Sequence, residues 1–326
     1  MNKKIRSVLA ILLCAATLFT LCACSQETPV DSTEKTSDDN KLKVVCTLFP
    51  QYDFVREIAG DKVDLTLLLP PGVESHSYDP TPADIKAVTD ADLVIRVGKE
   101  METWSEKLFS STSSKAVFMD LSHEICAEIT EHVHDHEAEG EFHSFIDTDV
   151  AFFDPHLWTD PTLSFLMVAV IADKLCEMDA ENASFYTENA ENYLSELEAL
   201  NTEITELVKS SERKTLVFSG RFALQNFTEQ YGLKAIAALD ACADNSEPSA
   251  ATVAQIIDTI KSENIKVVFY EELIEPKTAK IICDETGAKM LLFHSCHNLS
   301  KDEFNSGETY LSLMKQNVKN LEEALK

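Results

Sequence analysis

One long helical pattern, 181–212, divides this chain of 326 residues into two halves. Its apolar residues recur at spacings of four and three from Tyr186 to Leu207, with no Gly or Pro between them, which is the pattern of an amphipathic helix. Such a helix extends roughly 45 Å, enough to reach from one lobe to another. Because the apolar stripe covers only about three heptads, we favour packing on both lobes over a coiled-coil dimer and expect a monomer.

Short apolar runs alternate with helical patterns on both sides of this helix. The predicted strands are 42–48, 63–69, 93–97 and 116–121 in the first half, and 215–218, 234–238, 266–270 and 289–293 in the second. Helices are predicted at 50–59, from 82 onward, and at 102–109, 161–176, 222–231, 250–263, 276–286 and 307–326. Alternation of this kind is typical of parallel sheets covered on both faces. We therefore predict an α/β fold of two similar lobes, each a mostly parallel four-stranded sheet flanked by helices, at 42–180 and 213–326.

A proline-rich loop, Pro70–Pro82, follows the second predicted strand and carries His76. Four prolines and a glycine within thirteen residues exclude a helix and stiffen the loop. Ligands of parallel sheets bind beyond the carboxyl ends of the strands, and a metal site needs an imidazole held in few orientations. His76 is therefore a candidate metal ligand, although a surface turn that happens to contain a histidine is the alternative.

A second candidate ligand, His156, lies between Asp154 and Asp160, directly before a predicted helix. Its aromatic neighbours would exclude water from the site. A lone histidine in such a position is usually structural, but its pairing with the His76 loop favours metal ligation. The opposite half adds candidate donors that would face the cleft between the lobes: His294 and His297 after the last strand, Glu271 after the strand before it, and Glu247 in a loop.

A histidine-rich segment, 123–143, interrupts the alternation and contains five of the nine histidines of the chain. Nothing in this acidic stretch would form a core, so we expect a loop. His132, His134 and His136 could present three nitrogens to a borderline metal ion. We interpret the segment as an auxiliary site of weak metal capture; a merely polar insertion is the alternative.

The amino terminus has the pattern of a bacterial lipoprotein signal peptide. A basic start is followed by an apolar run, Ser7–Leu21, that is too short to span a bilayer comfortably. Leu21–Cys24 resembles a lipobox, so we predict a signal peptide at 1–24, a lipidated Cys24 and a disordered tether at 25–41. This predicts a lipid-anchored protein on the outer face of the cytoplasmic membrane; an ordinary cleaved signal peptide is the alternative.

The charge and the cysteines narrow the classes of partner. The formal charge is −28, which argues against binding nucleic acid or docking on anionic lipid. The nine cysteines contain no CxxC pair, so neither a zinc finger nor a thioredoxin-like motif is indicated. Disulfides are permitted outside the cell, and Cys242 and Cys296 both lie in predicted loops after strands. A bridge between them and two free thiols remain equal alternatives.

Five segments, taken together and in order, resemble the zinc- and manganese-binding lipoproteins that deliver metal to ABC importers, the ZnuA/TroA-like group. They are Val73–Pro82, Asp154–Trp158, Asn192–Leu194, Glu271–Thr278 and Tyr310–Met314. The resemblance implies two α/β lobes bridged by one rigid helix with a metal site in the cleft. It matches His76 and His156 to the family's two amino-lobe ligands. The implied function is capture of Zn²⁺, or alternatively Mn²⁺, for an ABC permease of the cytoplasmic membrane.

The carboxyl half departs from the family pattern. The family usually has a histidine shortly after the first strand of that lobe, where this chain has Phe218–Phe222 without one. The usual aspartate after the last strand falls on or next to His294. Because Zn²⁺ takes three or four protein ligands, we expect His294 to be the third, with His297, Glu247 and Glu271 as further candidates. A nitrogen-rich set favours zinc over manganese.

Two other functions compete with metal delivery. A metal-dependent hydrolase would need an open coordination position and a general base, and the sequence contains no HExxH motif or triad-like spacing. A surface adhesin would share only the fold with the importer proteins. We therefore predict a binding protein and not an enzyme.

Overall fold

Two parallel four-stranded sheets lie on either side of one long helix. The computed structural model describes residues 41–127, 154–240 and 247–326. The amino-lobe strands are β1 (Leu42–Cys46), β2 (Val63–Leu67), β3 (Leu93–Arg96) and β4 (Val117–Asp120), in the order β2-β1-β3-β4. The helices of this half are α1 (Phe49–Ala59), α2 (Pro82–Asp90), α3 (Thr103–Ser110) and α4 (Pro161–Met178).

Two local signals that bound these helices act as the sequence predicts. Thr81 accepts a hydrogen bond from the backbone N–H of Asp84, whose side chain returns one to the Thr81 backbone, which makes a capping box at the start of α2. Gly60 ends α1 with φ 54°, a conformation that glycine adopts without steric cost. The capping box holds the end of the Pro70–Pro82 loop in place.

The long helix α5 (Ala183–Ser210) has 28 residues, about 42 Å at 1.5 Å per residue. Its buried residues are Tyr186, Ala190, Tyr193, Leu197, Leu200, Ile204 and Val208. The helix packs against α1 and α4 of the first lobe and also against the last helix of the chain. One continuous hydrophobic cluster therefore runs through both lobes, and this shared core limits how far the lobes can move apart.

The second lobe repeats the arrangement. Its strands are β5 (Thr215–Phe222), β6 (Lys234–Asp240), β7 (Val267–Tyr270) and β8 (Lys289–Leu292), in the order β6-β5-β7-β8. Its helices are α6 (Gln225–Gln230), α7 (Ala250–Glu263), α8 (Lys277–Thr286), α9 (Lys301–Ser306) and α10 (Tyr310–Leu325). The predicted α/β fold is confirmed. None of the helices in the three described ranges is both long and apolar enough to span a bilayer.

In this lobe one predicted helix is wrong in its extent, and another, predicted from about 307, starts three residues late. The helix expected at 222–231 is only the short α6, because β5 continues to Phe222 through a register shift between Phe218 and Arg221. The helix expected at 307–326 begins at Tyr310, because Thr309 caps it, and α9 precedes it. The first error matters for function, since the longer β5 carries Arg221 to the cleft.

Candidate metal centre

An ion-sized cavity lies in the cleft, where loops from both lobes meet. Its volume is about 20 Å³, close to the room that one water molecule needs. The residues that line it are Glu74, Ser75, His76, His156, Arg221, Ala223, Glu271, Ser295 and His297. The cavity is therefore too small for an organic solute, and its three imidazoles are metal ligands by type.

The loop that carries His76 is fixed from both lobes. Trp104 donates its indole N–H to the Ser75 carbonyl at 2.9 Å. From the opposite lobe, the Asn298 amide donates to the carbonyls of Pro70 and Val73 at 2.8 and 2.9 Å. Asn298 directly follows His297, so the same residue ties the two histidine-bearing loops together. This geometry pre-organises one ligand from each lobe.

The two amino-lobe histidines are neighbours. The ring centroids of His76 and His156 lie 5.6 Å apart with an interplanar angle of 69°. Burial, followed by the nearby His156, lowers the pKa of His76 to about 4. At neutral pH His76 is therefore uncharged, which is the form that binds metal.

A carboxylate orients His156. Its Nδ1 lies 2.7 Å from Asp154 Oδ1, which also accepts the backbone N–H of His156 at 2.8 Å. With the proton on Nδ1, the lone pair of Nε2 is free to bind a metal ion, an arrangement common among metal-binding histidines. From the second lobe, the Asn226 amide donates to the carbonyls of Asp154 and His156 at 3.0 and 3.1 Å. The ring is only 2% exposed.

His297 has the same kind of support in the other lobe. Its Nδ1 lies 2.8 Å from Glu272 Oε1 and 2.7 Å from Ser295 Oγ. The carboxylate is the stronger acceptor, so the proton resides on Nδ1. Its Nε2 is buried without a hydrogen-bond partner, and an orphaned buried acceptor is costly unless something binds it. His294 Nε2 is also buried without a hydrogen-bond partner, so the feature that marks His297 as the candidate ligand is its place in the lining of the cavity.

Glu272 is the buried carboxylate behind His297. Burial by itself would raise its pKa, but His294, His297 and Ser295 outweigh that effect and hold the pKa of Glu272 well below its usual range. The carboxylate is therefore charged throughout the physiological range and keeps the His297 ring in one tautomer.

His294, the expected third ligand, does not line the cavity. Its Nδ1 accepts the backbone N–H of Cys296 at 2.9 Å, and its Nε2 lies 3.8 Å from Glu303 Oε1. Asn317 holds the His294 backbone from both sides, with two hydrogen bonds of 2.8 Å. The structure thus brings His297, rather than His294, to His76 and His156. The turn that separates them contains Cys296 at φ 62°, which the sequence does not reveal.

The remaining candidate residues fall in different places. Glu271 lines both the ion-sized cavity and an adjoining larger one of about 320 Å³, whereas Glu247 lines only the larger one. Cys296 is fully buried. Five candidate residues lie outside the described ranges, so the lipidation, the disulfide and the weak capture site stay predictions: Cys24, Cys242, His132, His134 and His136.

Sequence reasoning missed Arg221 and Glu74. The guanidinium of Arg221 donates to Glu74 Oε2 at 2.7 Å, and its Nε lies 3.4 Å from Glu271 Oε2. Within 41–127, 154–240 and 247–326, no three His, Cys, Asp or Glu side chains are already placed to hold a metal ion. The three imidazoles would therefore have to draw together around an ion. The only signal in the sequence was the segment Phe218–Phe222, which contains an arginine and no histidine.

The neutral state of His76 can be tested directly. In the metal-free protein, the ring resonances of His76 should titrate with a midpoint near pH 4, because burial disfavours the imidazolium. The folded pKa of His76 lies below the unfolded value of about 6.5, so the unfolded chain binds this proton more readily. The free energy of unfolding should therefore decrease as the pH falls from 6.5 toward 4. Ring NMR spectra of the wild type, assigned with His76→Gln, measure the midpoint. A midpoint above 6 would contradict the burial argument.

Two α/β lobes joined by one helix, with an ion-sized imidazole cavity in the cleft, are the architecture of a solute-binding protein. The particular family follows from comparison. The family model ZnuA, described as zinc-uptake complex component A, periplasmic, matches residues 44–324. The chain belongs to this family, and the resemblance noted in the sequence is confirmed.

Individual relatives agree with the family. The chain is 33% identical over 315 residues to the high-affinity zinc uptake system protein ZnuA of Bacillus subtilis (strain 168), and the match covers 95% of each chain. The crystal structure of the metal-dependent lipoprotein YcdH from Bacillus subtilis has a TM-score of 0.72 at 32% identity and covers 88% of this chain and 100% of that one. The Zn(II)-bound ZnuA-like domain of Streptococcus pneumoniae AdcA has a TM-score of 0.70 at 26% identity, covering 88% and 99%.

Proposed function

We propose that this chain captures one Zn²⁺ between His76, His156 and His297 and delivers it to an ABC permease in the cytoplasmic membrane. The observation that carries this proposal is the meeting of three imidazoles from both lobes in one ion-sized cavity. Two of them have Nδ1 held by a carboxylate, which leaves Nε2 for the metal. The relatives named for zinc uptake and zinc binding support the same ion.

Zinc suits this donor set better than manganese does. Three neutral nitrogens and one open position are a common zinc arrangement, whereas manganese prefers carboxylate and other oxygen ligands. Three protein ligands also suit a carrier, because an open position lets an acceptor begin to bind the ion before the protein releases it. His294 is not part of the proposed set, since its ring faces Cys296 and Glu303 instead.

Release would require only small movements. Trp158 donates its indole N–H to the Ser295 carbonyl of the other lobe at 2.7 Å. The backbone N–H of Tyr310 donates to Asp53 in the first lobe at 2.7 Å. With α5 packed on both lobes as well, wide hinge opening would break buried contacts. Shifts of the histidine loops are the less costly route to opening the site.

The amino-terminal segment completes the proposal. A signal peptide at 1–24 and lipidation of Cys24 would hold the mature protein by a tether, 25–41, on the outer face of the membrane beside the permease. The family description as a periplasmic component and the relatives named as lipoproteins agree with this location. Mass spectrometry of the mature amino terminus tests it, and an unmodified Cys24 in the mature protein would exclude the anchor.

The metal content of the purified protein tests the main proposal. We expect one tightly bound zinc per chain, no metal-dependent hydrolysis, and weaker binding of Mn²⁺. Elemental analysis and competition calorimetry measure these quantities. A chain that lacks 132–136 serves as the control, because it should keep the tight site and lose only weaker extra zinc. Stoichiometric manganese in preference to zinc, or no tight metal at all, would overturn the proposal.

A further inference from the structure

Arg221 places a fixed positive charge inside the cavity proposed to hold zinc. Its side chain is only 10% exposed. One amino group of the guanidinium donates to Glu74 Oε2 of the first lobe at 2.7 Å. Its Nε lies 3.4 Å from Oε2 of Glu271 in its own lobe. The guanidinium therefore bridges two carboxylates from opposite sides of the cleft.

These two carboxylates are the only acidic side chains among the described residues that line the cavity. Asp154 and Glu272 lie behind the imidazoles and are engaged with their Nδ1 atoms. Any carboxylate ligand for a metal in this cavity would therefore come from Glu74 or Glu271. Both are held by Arg221, which cannot lose its charge in a protein.

We propose that Arg221 determines which metal this site accepts, by withholding Glu74 and Glu271 from the ion. The inference rests on the proposed zinc site and adds the basis of its selectivity. With both carboxylates ion-paired, the imidazole nitrogens are the strongest donors that the cavity still offers. Ions that depend on oxygen ligands, such as Mn²⁺, Mg²⁺ and Ca²⁺, lose their preferred donors, whereas Zn²⁺ keeps three imidazoles.

The backbone around Arg221 is built for this contact. The register shift in β5 between Phe218 and Arg221 places the residue at the cleft end of the strand. The neighbouring residue is Gly220, and a Cβ there would lie 2.8 Å from Glu271 Oε1. Only glycine lets the Glu271 carboxylate approach the strand so closely. The Arg221 backbone N–H also donates to Glu271 Oε1 at 3.4 Å, so main chain and side chain hold the same carboxylate.

The charge of Arg221 also favours Zn²⁺ over ions that depend on oxygen ligands. The guanidinium offsets one of the two negative charges of Glu74 and Glu271, so the cavity attracts any cation less than two free carboxylates would. An ion that depends on this attraction loses more affinity than Zn²⁺, which also binds imidazole well. Arg221 is thus a specificity-determining residue that does not itself bind the metal.

The test replaces Arg221 and measures the affinities for Zn²⁺ and Mn²⁺ separately, by competition calorimetry and by the EPR signal of free Mn²⁺. We expect Arg221→Gln to raise the Mn²⁺ affinity at least tenfold and to lower the zinc-to-manganese affinity ratio accordingly. Arg221→Lys should have a smaller effect in the same direction, because an ammonium cannot bridge two carboxylates as a guanidinium does. Arg221→Gln combined with Glu74→Gln and Glu271→Gln should abolish the gain in Mn²⁺ affinity.

Arg213→Gln is the matched control. Arg213 precedes β5 at the end of the strand away from the cavity and donates to the Asn264 carbonyl, so this substitution removes the same charge without touching the site. Its affinity ratio should equal that of the wild type. If Arg221→Gln and Arg221→Lys bind zinc with an unchanged ratio, the role of Arg221 is refuted and the zinc site stands. If the wild type binds no zinc, both proposals fail together. If Arg221→Gln does not fold, Arg221→Lys alone decides the outcome.

Discussion

Replacing His297 with alanine should abolish tight zinc binding, although a different histidine, His294, sits nearer to the last strand. Loss of a residue behind a metal ligand already costs about 10- to 100-fold in affinity, so loss of a ligand itself should cost more than 100-fold. His76→Ala and His156→Ala should have effects of the same size, because the three rings line one cavity. Competition calorimetry against a chelator of known affinity measures the loss.

His294→Ala is the informative control for this prediction. Its ring is buried but accepts a hydrogen bond from Cys296 and lies beside Glu303, away from the cavity. The variant should lose stability, because it removes a buried side chain and the acceptor for that N–H. At a temperature where it remains folded, its zinc affinity should fall less than tenfold. A reversed result, with His294 essential and His297 dispensable, would refute the proposed ligand set.

Replacing Glu272 with alanine should cause the largest loss of stability that a single change near the site can produce. The carboxylate accepts hydrogen bonds from the backbone N–H and hydroxyl of Ser295 and lies 2.8 Å from His297 Nδ1. Its side chain is 3% exposed, and removing one partner of a buried charged pair typically costs about 3–5 kcal/mol. We expect a loss of about 3 kcal/mol in the free energy of unfolding, together with a 10- to 100-fold loss of zinc affinity.

Glu275→Ala is the matched control, since it removes the same side chain three residues away. Glu275 is 65% exposed and lies 3.8–3.9 Å from two lysines, so its loss should change stability by less than about 0.5 kcal/mol.

The pKa of Glu272 lies well below its usual range, so the stabilisation that Glu272 provides is present above the unfolded pKa of about 4.3 and is lost as the pH falls below it. Urea unfolding measures the free energy of unfolding at pH 7 and at pH 3. The difference in this free energy between wild type and Glu272→Ala should be smaller at pH 3. An equal difference at both values would contradict the role of the charge.

The fold was predictable because local patterns and global packing agree. The eight strands lie within two residues of the apolar runs that predicted them, except for β5. Prediction failed at β5 because a register shift extends the strand past Phe218 to Phe222. Such a shift depends on pairing with β6, a contact between residues distant in sequence, and no local pattern encodes it.

The candidate site was predictable in its amino-lobe half only. The stiff loop around His76 and the Asp-flanked segment around His156 carry their signals locally, in prolines and in adjacent acidic residues. The carboxyl-lobe half depends on a turn at Cys296 and on Asn317, which holds the His294 backbone. Which of the two neighbouring histidines reaches the cavity depends on that turn, and the spacing of His294 and His297 in the sequence does not reveal it.

The amino acid sequence by itself predicted the α/β class, the two halves joined by one helix, and two candidate metal-binding imidazoles, His76 and His156. It could do so because hydrophobic periodicity and proline-rich turns act over a few residues. The tertiary structure brings His297 to the cavity, places Glu272 behind its ring, and positions Arg221 between Glu74 and Glu271. These pairings join residues 25 to 147 positions apart, and their energies depend on burial in a shared cleft that exists only once both lobes are assembled.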